Sequence, residues 1–360
     1  MSGTEFTLVL SGGGMKGLAH VGVLQALEER GLEPSLIVGS SIGALIAATW
    51  ATGMPLREIV ARARLVRRKD VFAVAHADMA FRRMRAPAVY RREPLDDLVS
   101  SLVGTYTFRE LQRRILVNTV DLESGAQVLW GLPGLDDVSV ADAVFASCAL
   151  PGIFPPRTIR DRTYVDGAVV ENLPLRLAAT AGRGPIVAVN LNAMGPVDVV
   201  REETGQHGFA ATYIRGLEVV MLTQNLDRLR NWQRPSLVLV QPRVAHVPMF
   251  AFDRADELVD EGRRATLEAL DGLAAPLAHL APGVHPRHAV RVVVDRERCV
   301  GCGACALWAP TVFRMDEAGK AEPVAPVHRW SPVDTTYVAH CPTRAISVVP
   351  ADERRVEKSA

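Results

Sequence analysis

The chain is sparing with cysteine and with net charge. Of five cysteines in 360 residues, four fall between Cys299 and Cys341, and only Cys148 lies elsewhere. A disulfide framework would be unusual in a reducing compartment, and clustered cysteines point to a metal or cluster site instead. With 41 basic and 40 acidic residues the net charge is +1, so no global field draws the chain to nucleic acid. There are no internal repeats, and the 28 Gly and 23 Pro gather at motifs rather than in low-complexity tracts. No basic segment precedes the short apolar run near the N-terminus, so a secretory leader is not expected there. Residues 34–56 carry no charge and are long enough to span a bilayer. They also contain Pro34, Ser35, Gly39, Ser40, Ser41, Gly43, Gly53 and Pro55, which suits a buried strand, turn and helix better. A cytoplasmic protein is therefore expected. Its 48% hydrophobic and 22% charged residues suit a soluble globular protein with a large core.

Short apolar runs at 5–10, 36–38, 115–120, 163–165, 186–190 and 237–240 read as buried strands. Helical spacing occurs at 16–30, through Leu18, Val21, Leu24 and Leu27, and at 42–52, 138–147, 173–181, 209–232 and 255–270. Strands alternating with helices predict layered α/β architecture around a mostly parallel sheet. Residues 273–288 are rich in Ala and Pro and read as a linker. Domains are expected at 1–275 and 289–350, joined by a linker at 276–288. A charged tail, 351–360, is expected to be disordered.

Gly39-Ser40-Ser41-Ile42-Gly43 matches G-x-S-x-G between a strand and a helix. Such a turn is sharp, lifts the serine hydroxyl above the sheet, and sets it at the positive end of a helix. Gly12-Gly13-Gly14-Met15-Lys16-Gly17 follows the first strand and opens the first helix. Backbone N–H groups in a loop of this kind point together and can hold an anion, here a tetrahedral oxyanion. A nucleotide phosphate loop is the alternative, although the spacing fits neither common phosphate motif. Asp166-Gly167-Ala168 follows a short strand; alone it would be a turn. A histidine triad through His246 or His207 is a rival, and Ser40 and Cys148 read as structural, Cys148 as a small core residue.

Together and in this order, the three motifs resemble those of the patatin-like phospholipase family: G-G-G-x-[RK]-G, G-x-S-x-G and D-G-[GA]. The segment 146–156, ASCALPGIFPP, is similar to the family's apolar, proline-rich approach to the aspartate. The resemblance covers about residues 5–275. It implies that Ser41 is the nucleophile, Asp166 the general base of a dyad, and Gly12, Gly13 and Gly14 the oxyanion hole. It also implies a lipid or other ester as substrate.

Between Arg57 and Arg92 basic residues interleave with Val71, Phe72, Met79, Phe81, Met84 and Tyr90. This is either a solvated cap or a surface for peripheral contact with anionic lipid.

Cys299-Val300-Gly301-Cys302-Gly303-Ala304-Cys305 is C-x-x-C-x-x-C, and Cys341-Pro342 follows after a gap. Closely spaced thiolates can hold three corners of an iron–sulfur cluster, with Cys341 closing the fourth; four-cysteine zinc is the alternative. The stretch 288–349 resembles a single-cluster bacterial ferredoxin, which implies one 4Fe-4S cluster rather than 3Fe-4S, a small α+β ferredoxin-like domain, and a redox partner such as a reductase or oxygenase. The expected whole is a lipid acyl hydrolase carrying a cluster domain for regulation or partner coupling. An electron carrier localised to lipid, and a redox sensor controlling the hydrolase, are the alternatives.

Overall fold

The computed structural model describes residues 5–75, 88–192, 209–334 and 336–351. Its centre is a nine-stranded sheet whose pairings run β5–β6–β3–β2–β1–β7–β8–β9, with β4 also on β3. The strands are β1 (Thr7–Leu10), β2 (Leu36–Ser40), β3 (Ile115–Asp121), β4 (Gln127–Trp130), β5 (Arg157–Ile159), β6 (Arg162–Asp166), β7 (Ile186–Val189), β8 (Leu237–Val240) and β9 (Val284–His285). The core strands β3–β2–β1–β7–β8–β9 are parallel, whereas β4, β5 and β6 pair antiparallel. β1, β7 and β8 are buried at every position. This is why they read as unbroken apolar runs: a parallel sheet is covered on both faces.

Helices form the two outer layers. Leu8, Leu10 and Ile37 face one core with α1 (Ala19–Glu29), α2 (Ile42–Ala51), α3 (Leu56–Leu65), α4 (Glu93–Val103), α5 (Val140–Cys148) and, later in the chain, α9 (Ala255–Asp271). Val9, Leu36 and Val38 face the other, with Leu175 and Ala178 of α7 (Leu175–Ala181) and Leu229 of α8 (Phe209–Arg230). Between these helices, α6 (Ala168–Glu171) is one short turn. The layered, mostly parallel α/β class expected from the motifs is the one observed.

The register on β3 positions the site. Ser40 pairs with Asn118, and Asp166 pairs with Thr119, the next residue. β4 pairs with both of these β3 residues and fills the other edge. The C-terminal ends of β2 and β6 therefore meet along one edge of β3, and Ser40 and Asp166, 126 positions apart, arrive side by side.

The C-terminal unit is small and α+β. β10 (His288–Val294) lies between β13 (His328–Trp330) and β14 (Ile346–Pro350), and β11 (Phe313–Met315) pairs with β12 (Ala321–Pro323). Val292, Phe313, Trp330 and Ile346 form its core. Two short helices, α10 (Ala304–Trp308) and α11 (Thr336–Ala339), flank the cysteines. The two units are packed together. Arg230, at the end of α8, donates to Thr336 Oγ1 at 2.8 Å and lies over the rings of Trp308 and Tyr337, while Val333 is buried with Leu229 and Leu237.

One expectation needs correction. The stretch 276–288 is not a free linker: Leu277 and Leu280 are buried, and Val284–His285 adds a strand beside β8. Its few apolar residues suffice because each lands on an existing surface. The tail beyond residue 351 lies outside the described residues, so its expected disorder is not addressed.

α1 and α9 cross at two glycines. A Cβ on Gly22 would sit 1.8 Å from the Val259 carbonyl oxygen, and one on Gly262 would sit 1.9 Å from that of Ala19. Backbone on both sides leaves no flexible atom to yield. Gly22→Ala should therefore lower stability by about 1–3 kcal/mol through overpacking, read as a lower urea midpoint. An unchanged midpoint would mean that the helices are free to separate.

Candidate active site

The sequence places Ser41 where a buried strand must turn sharply into a helix. Ser41 carries the strain of that turn, with φ 53° and ψ −127°, a region that side chains other than glycine rarely adopt. Such strain persists only where the surroundings impose it. Gly43 shows how tight they are, since a Cβ there would meet the Leu10 carbonyl oxygen at 2.4 Å. The Ser41 N–H donates to Ser147 Oγ at 2.9 Å, and the Ser147 hydroxyl donates to the Asn118 carbonyl at 2.7 Å. A serine from α5 thus ties the elbow to β3.

Asp166 ends β6 with 2% of its surface exposed. Its Oδ1 accepts from the Ala168 N–H at 2.8 Å. Burial pushes its pKa up to about 7, although the Ala168 amide and the Ser41 hydroxyl draw it back. A carboxyl poised there can take and return a proton at neutral pH. Cys148, expected in the core, instead lines the pocket beside Ser41, and burial raises its thiol pKa well above the ordinary range. That leaves it a neutral, soft wall for the cavity. Ser40 is fully buried and sits 3.4 Å from Asn118 Nδ2.

The glycine loop curls over Ser41. Gly12, Gly13 and Gly14 line the same cavity as Ser41 and Asp166. The three amides are not equivalent. Gly12 N–H donates to the Asn172 carbonyl at 3.2 Å, whereas no acceptor among the described residues takes the amides of Gly13 and Gly14. The loop is braced from below by His20. Burial holds the His20 pKa down at about 4, so the ring is neutral, and its Nε2 meets the Ser11 carbonyl at 2.8 Å. Ser11 Oγ in turn accepts from Leu191 N–H at 3.1 Å.

Away from these polar atoms the cavity is apolar. Leu45, Leu98, Leu150, Met221, Met249 and Phe252 line it. Phe72 stacks on Phe154 at 5.5 Å and meets Tyr90 at 4.6 Å and Phe250 at 4.9 Å. A nucleophile, a base and an anion loop at the foot of an apolar chamber suit a substrate with a greasy chain and a reactive carbonyl.

His246 does not join this group: it pairs with Glu257 at 2.7 Å on an exposed face and does not line the cavity. His207 lies outside the described residues, as do residues 76–87 of the basic stretch. In the described part of that stretch, Arg62 pairs with Glu58, Arg64 with Asp256 and Arg91 with Glu93. Arg68 lies over the Phe72 ring.

In the small domain Cys299, Cys302, Cys305 and Cys341 all line one small cavity with Val294, Met315 and Ile346. No group of three or more ligating side chains among the described residues is close enough to hold one metal ion. The Ala345 N–H donates to Cys341 Sγ at 3.2 Å. Burial pushes the Cys341 thiol up, but hydrogen bonds from Thr343, Ala345 and Ile346 outweigh it and hold the pKa below the ordinary value. Four cysteines lining one cavity, with one sulfur already accepting from the backbone, form a donor set whose chemistry fits an iron–sulfur cluster.

The sequence profile of the patatin-like phospholipases matches residues 8–179, and that of a 4Fe-4S single cluster domain matches residues 292–348. An uncharacterised NTE family protein of Mycobacterium tuberculosis is 26% identical over 289 residues, covering 75% of this chain and 47% of that one. A lysophospholipase of Mycosarcoma maydis is 24% identical over 312 residues, covering 76% of this chain and 15% of that one. Among solved structures, VipD from Legionella pneumophila is 13% identical at a TM-score of 0.40, covering 75% of this chain and 67% of that one. The chain thus spans about half the length of the NTE family relative. Among the described residues no helix is long and apolar enough to cross a membrane.

The burial of Asp166 has a consequence for stability. In the unfolded chain a carboxyl ionises near about 3.9, but in the folded protein Asp166 does so near about 7. Between those values ionisation favours the unfolded chain, so this group's cost grows as pH rises from about 4 to about 7 and is constant above. Asp166→Asn should therefore melt higher than wild type at about pH 8, with the gap closing toward about pH 4. Calorimetry at both pH values checks this. A variant that melts no higher at the upper pH would show the carboxyl is comfortable when charged.

Proposed function

We propose that this chain, which joins a patatin-like domain to a single-cluster 4Fe-4S domain, is a lipid acyl hydrolase working through Ser41 and Asp166. The observation that supports it is the strained backbone of half-buried Ser41, lining one apolar cavity with a buried carboxyl whose pKa is about 7. The Asp166 carboxylate takes the Ser41 proton as Oγ attacks the ester carbonyl carbon. Amides of the glycine loop receive the charge that develops on the carbonyl oxygen. Asp166 then returns the proton to the departing alcohol, leaving an acyl group on Ser41. Water, deprotonated by Asp166, attacks that acyl group, and the acid departs with Ser41 restored. The aromatic and aliphatic walls hold the acyl chain.

The small domain would hold its cluster on Cys299, Cys302, Cys305 and Cys341, and the cluster supplies one-electron chemistry when bound. α8 supports a link between the two sites, since Met221 lines the hydrolase cavity and Arg230 lies against Trp308 and Thr336. A second reading, electron exchange with a protein partner, is favoured by exposed Cys302 and by Val300, Leu307 and Trp308, exposed to 65%, 81% and 55%. A cytoplasmic location with peripheral contact to lipid belongs to the same proposal.

A fluorophosphonate probe should add once to wild type, not at all to Ser41→Ala, and far more slowly to Asp166→Asn. The rate of p-nitrophenyl butyrate hydrolysis should fall as pH drops through about 7, because only the ionised carboxyl is a base. No adduct on wild type would end the hydrolase reading.

The purified chain should contain about four iron atoms, with a visible absorbance band that Cys341→Ala diminishes. Hydrolysis that is equally fast with the cluster intact and destroyed would leave partner electron exchange as its role; iron absent from protein prepared without oxygen would rule the cluster out.

A further inference from the structure

Asn172 sits at the junction of the site and has no role in the dyad just described. It follows α6 and is only 1% exposed. Neither Nδ2 nor Oδ1 has a hydrogen-bond partner among the described residues. A buried carboxamide left wholly unpaired loses the hydrogen bonds that water gave it, so such a group calls for an explanation in a ligand. Its position supplies one. Asn172 lines the cavity with Ser41, Asp166 and the glycine loop. A Cβ placed on Gly12 would lie 2.4 Å from Asn172 Oδ1 and 3.1 Å from Ser41 Cβ. The carboxamide, the loop and the nucleophile therefore converge on one small space.

The backbone of the same residue sharpens the case. The Asn172 carbonyl accepts the Gly12 N–H. That bond occupies one of the three amides the glycine motif offers for an oxyanion. It also sets the carboxamide of Asn172 beside the amide it has taken. Because no hydrogen bond among the described residues holds the carboxamide in one orientation, it can rotate to present its N–H₂ to a forming negative charge.

We propose that Asn172 is a catalytic residue of this hydrolase: its side-chain Nδ2–H donates to the oxyanion of the tetrahedral intermediate, together with the amides of Gly13 and Gly14, in place of Gly12. The assignment rests on the acyl hydrolase reading above. It explains the missing partner, since the partner exists only when an ester carbonyl has been attacked. An interaction present only then raises kcat and leaves ground-state binding unchanged.

The test uses the full chain with p-nitrophenyl butyrate as substrate and an alkyl trifluoromethyl ketone as an inhibitor that forms an oxyanion on Ser41. Asn172→Ala should lose about 10²–10³ in kcat, as expected for one oxyanion donor, with KM nearly unchanged. Affinity for the trifluoromethyl ketone should fall by the same factor. A merely structural role would lower the melting point and the fraction of active protein without matching these two losses. Asn172→Asp has nearly the same shape but no donor when ionised; it should be impaired at least as much, and it serves if the alanine variant does not fold. A kcat within about threefold of wild type, a loss confined to KM, or an unchanged inhibitor affinity each overturns the assignment. Wild type that fails to hydrolyse the ester overturns the hydrolase reading and this assignment with it. Active wild type beside an unimpaired variant overturns this assignment alone.

Discussion

A carboxyl group held almost out of water, beside a serine that cannot relax, is the constraint around which the large domain is arranged. Among the described residues Asp166 has one backbone donor and no cation against it. Surrounded by solvent it would be ionised and inert as a proton store at neutral pH. Sealed under an apolar chamber it titrates at about 7, where the proposed chemistry would use it. The chamber therefore serves twice: the same phenylalanines that can receive an acyl chain exclude the water that would lower the carboxyl's pKa.

The geometry comes from strand register rather than from loops. β3 takes β2 and β6 end to end on one edge, so the serine elbow and the aspartate are set by successive hydrogen-bonded pairs. Sites built on sheet register are held more tightly than sites on flexible loops. The Ser41 conformation is sustained by Ser147, Asn118 and the close approach of α2 to β1. None of these groups touches substrate, yet each restricts where Oγ can point.

How much of this could be read in the sequence follows from the range of each interaction. The sharp turn at Ser41 and the gathering of the four cysteines around one cavity were legible because such turns and clustered thiols need local residue patterns. Strand and helix positions were legible wherever burial was two-sided or periodic. Ser147, His20 and Asn172 were not, because each acts on a partner brought close only by folding: Ser147 meets Ser41 across 106 positions. Cys148 read as core because a small apolar residue looks the same beside a cavity as beneath one. The 276–288 stretch read as a linker because Ala and Pro dominate its composition, while the two leucines and Val284 that anchor it are too few to form a pattern. His246 offered a plausible chain order for a triad, but its Glu257 partner lies on an exposed face remote from the nucleophile's cavity. The glycine loop was legible as a motif, whereas the diversion of the Gly12 amide to the Asn172 carbonyl was not.

Helix α8 has a consequence for how the two units can be separated. Its 22 residues span about 33 Å at the rise of an α-helix, with Met221 near its middle on the cavity and Arg230 at its end against the cysteine domain. Val333, from the far unit, completes the packing around Leu229 on the back of the large sheet. The boundary in the gene is thus not a boundary in the core. A large domain cut off near residue 285 would bare an apolar patch and strand the Arg230 guanidinium, and so would inherit a solubility defect unrelated to catalysis. Evolution could have joined these units as beads on a string; instead the seam was packed shut, so that neither half keeps its own surface when the other is taken away.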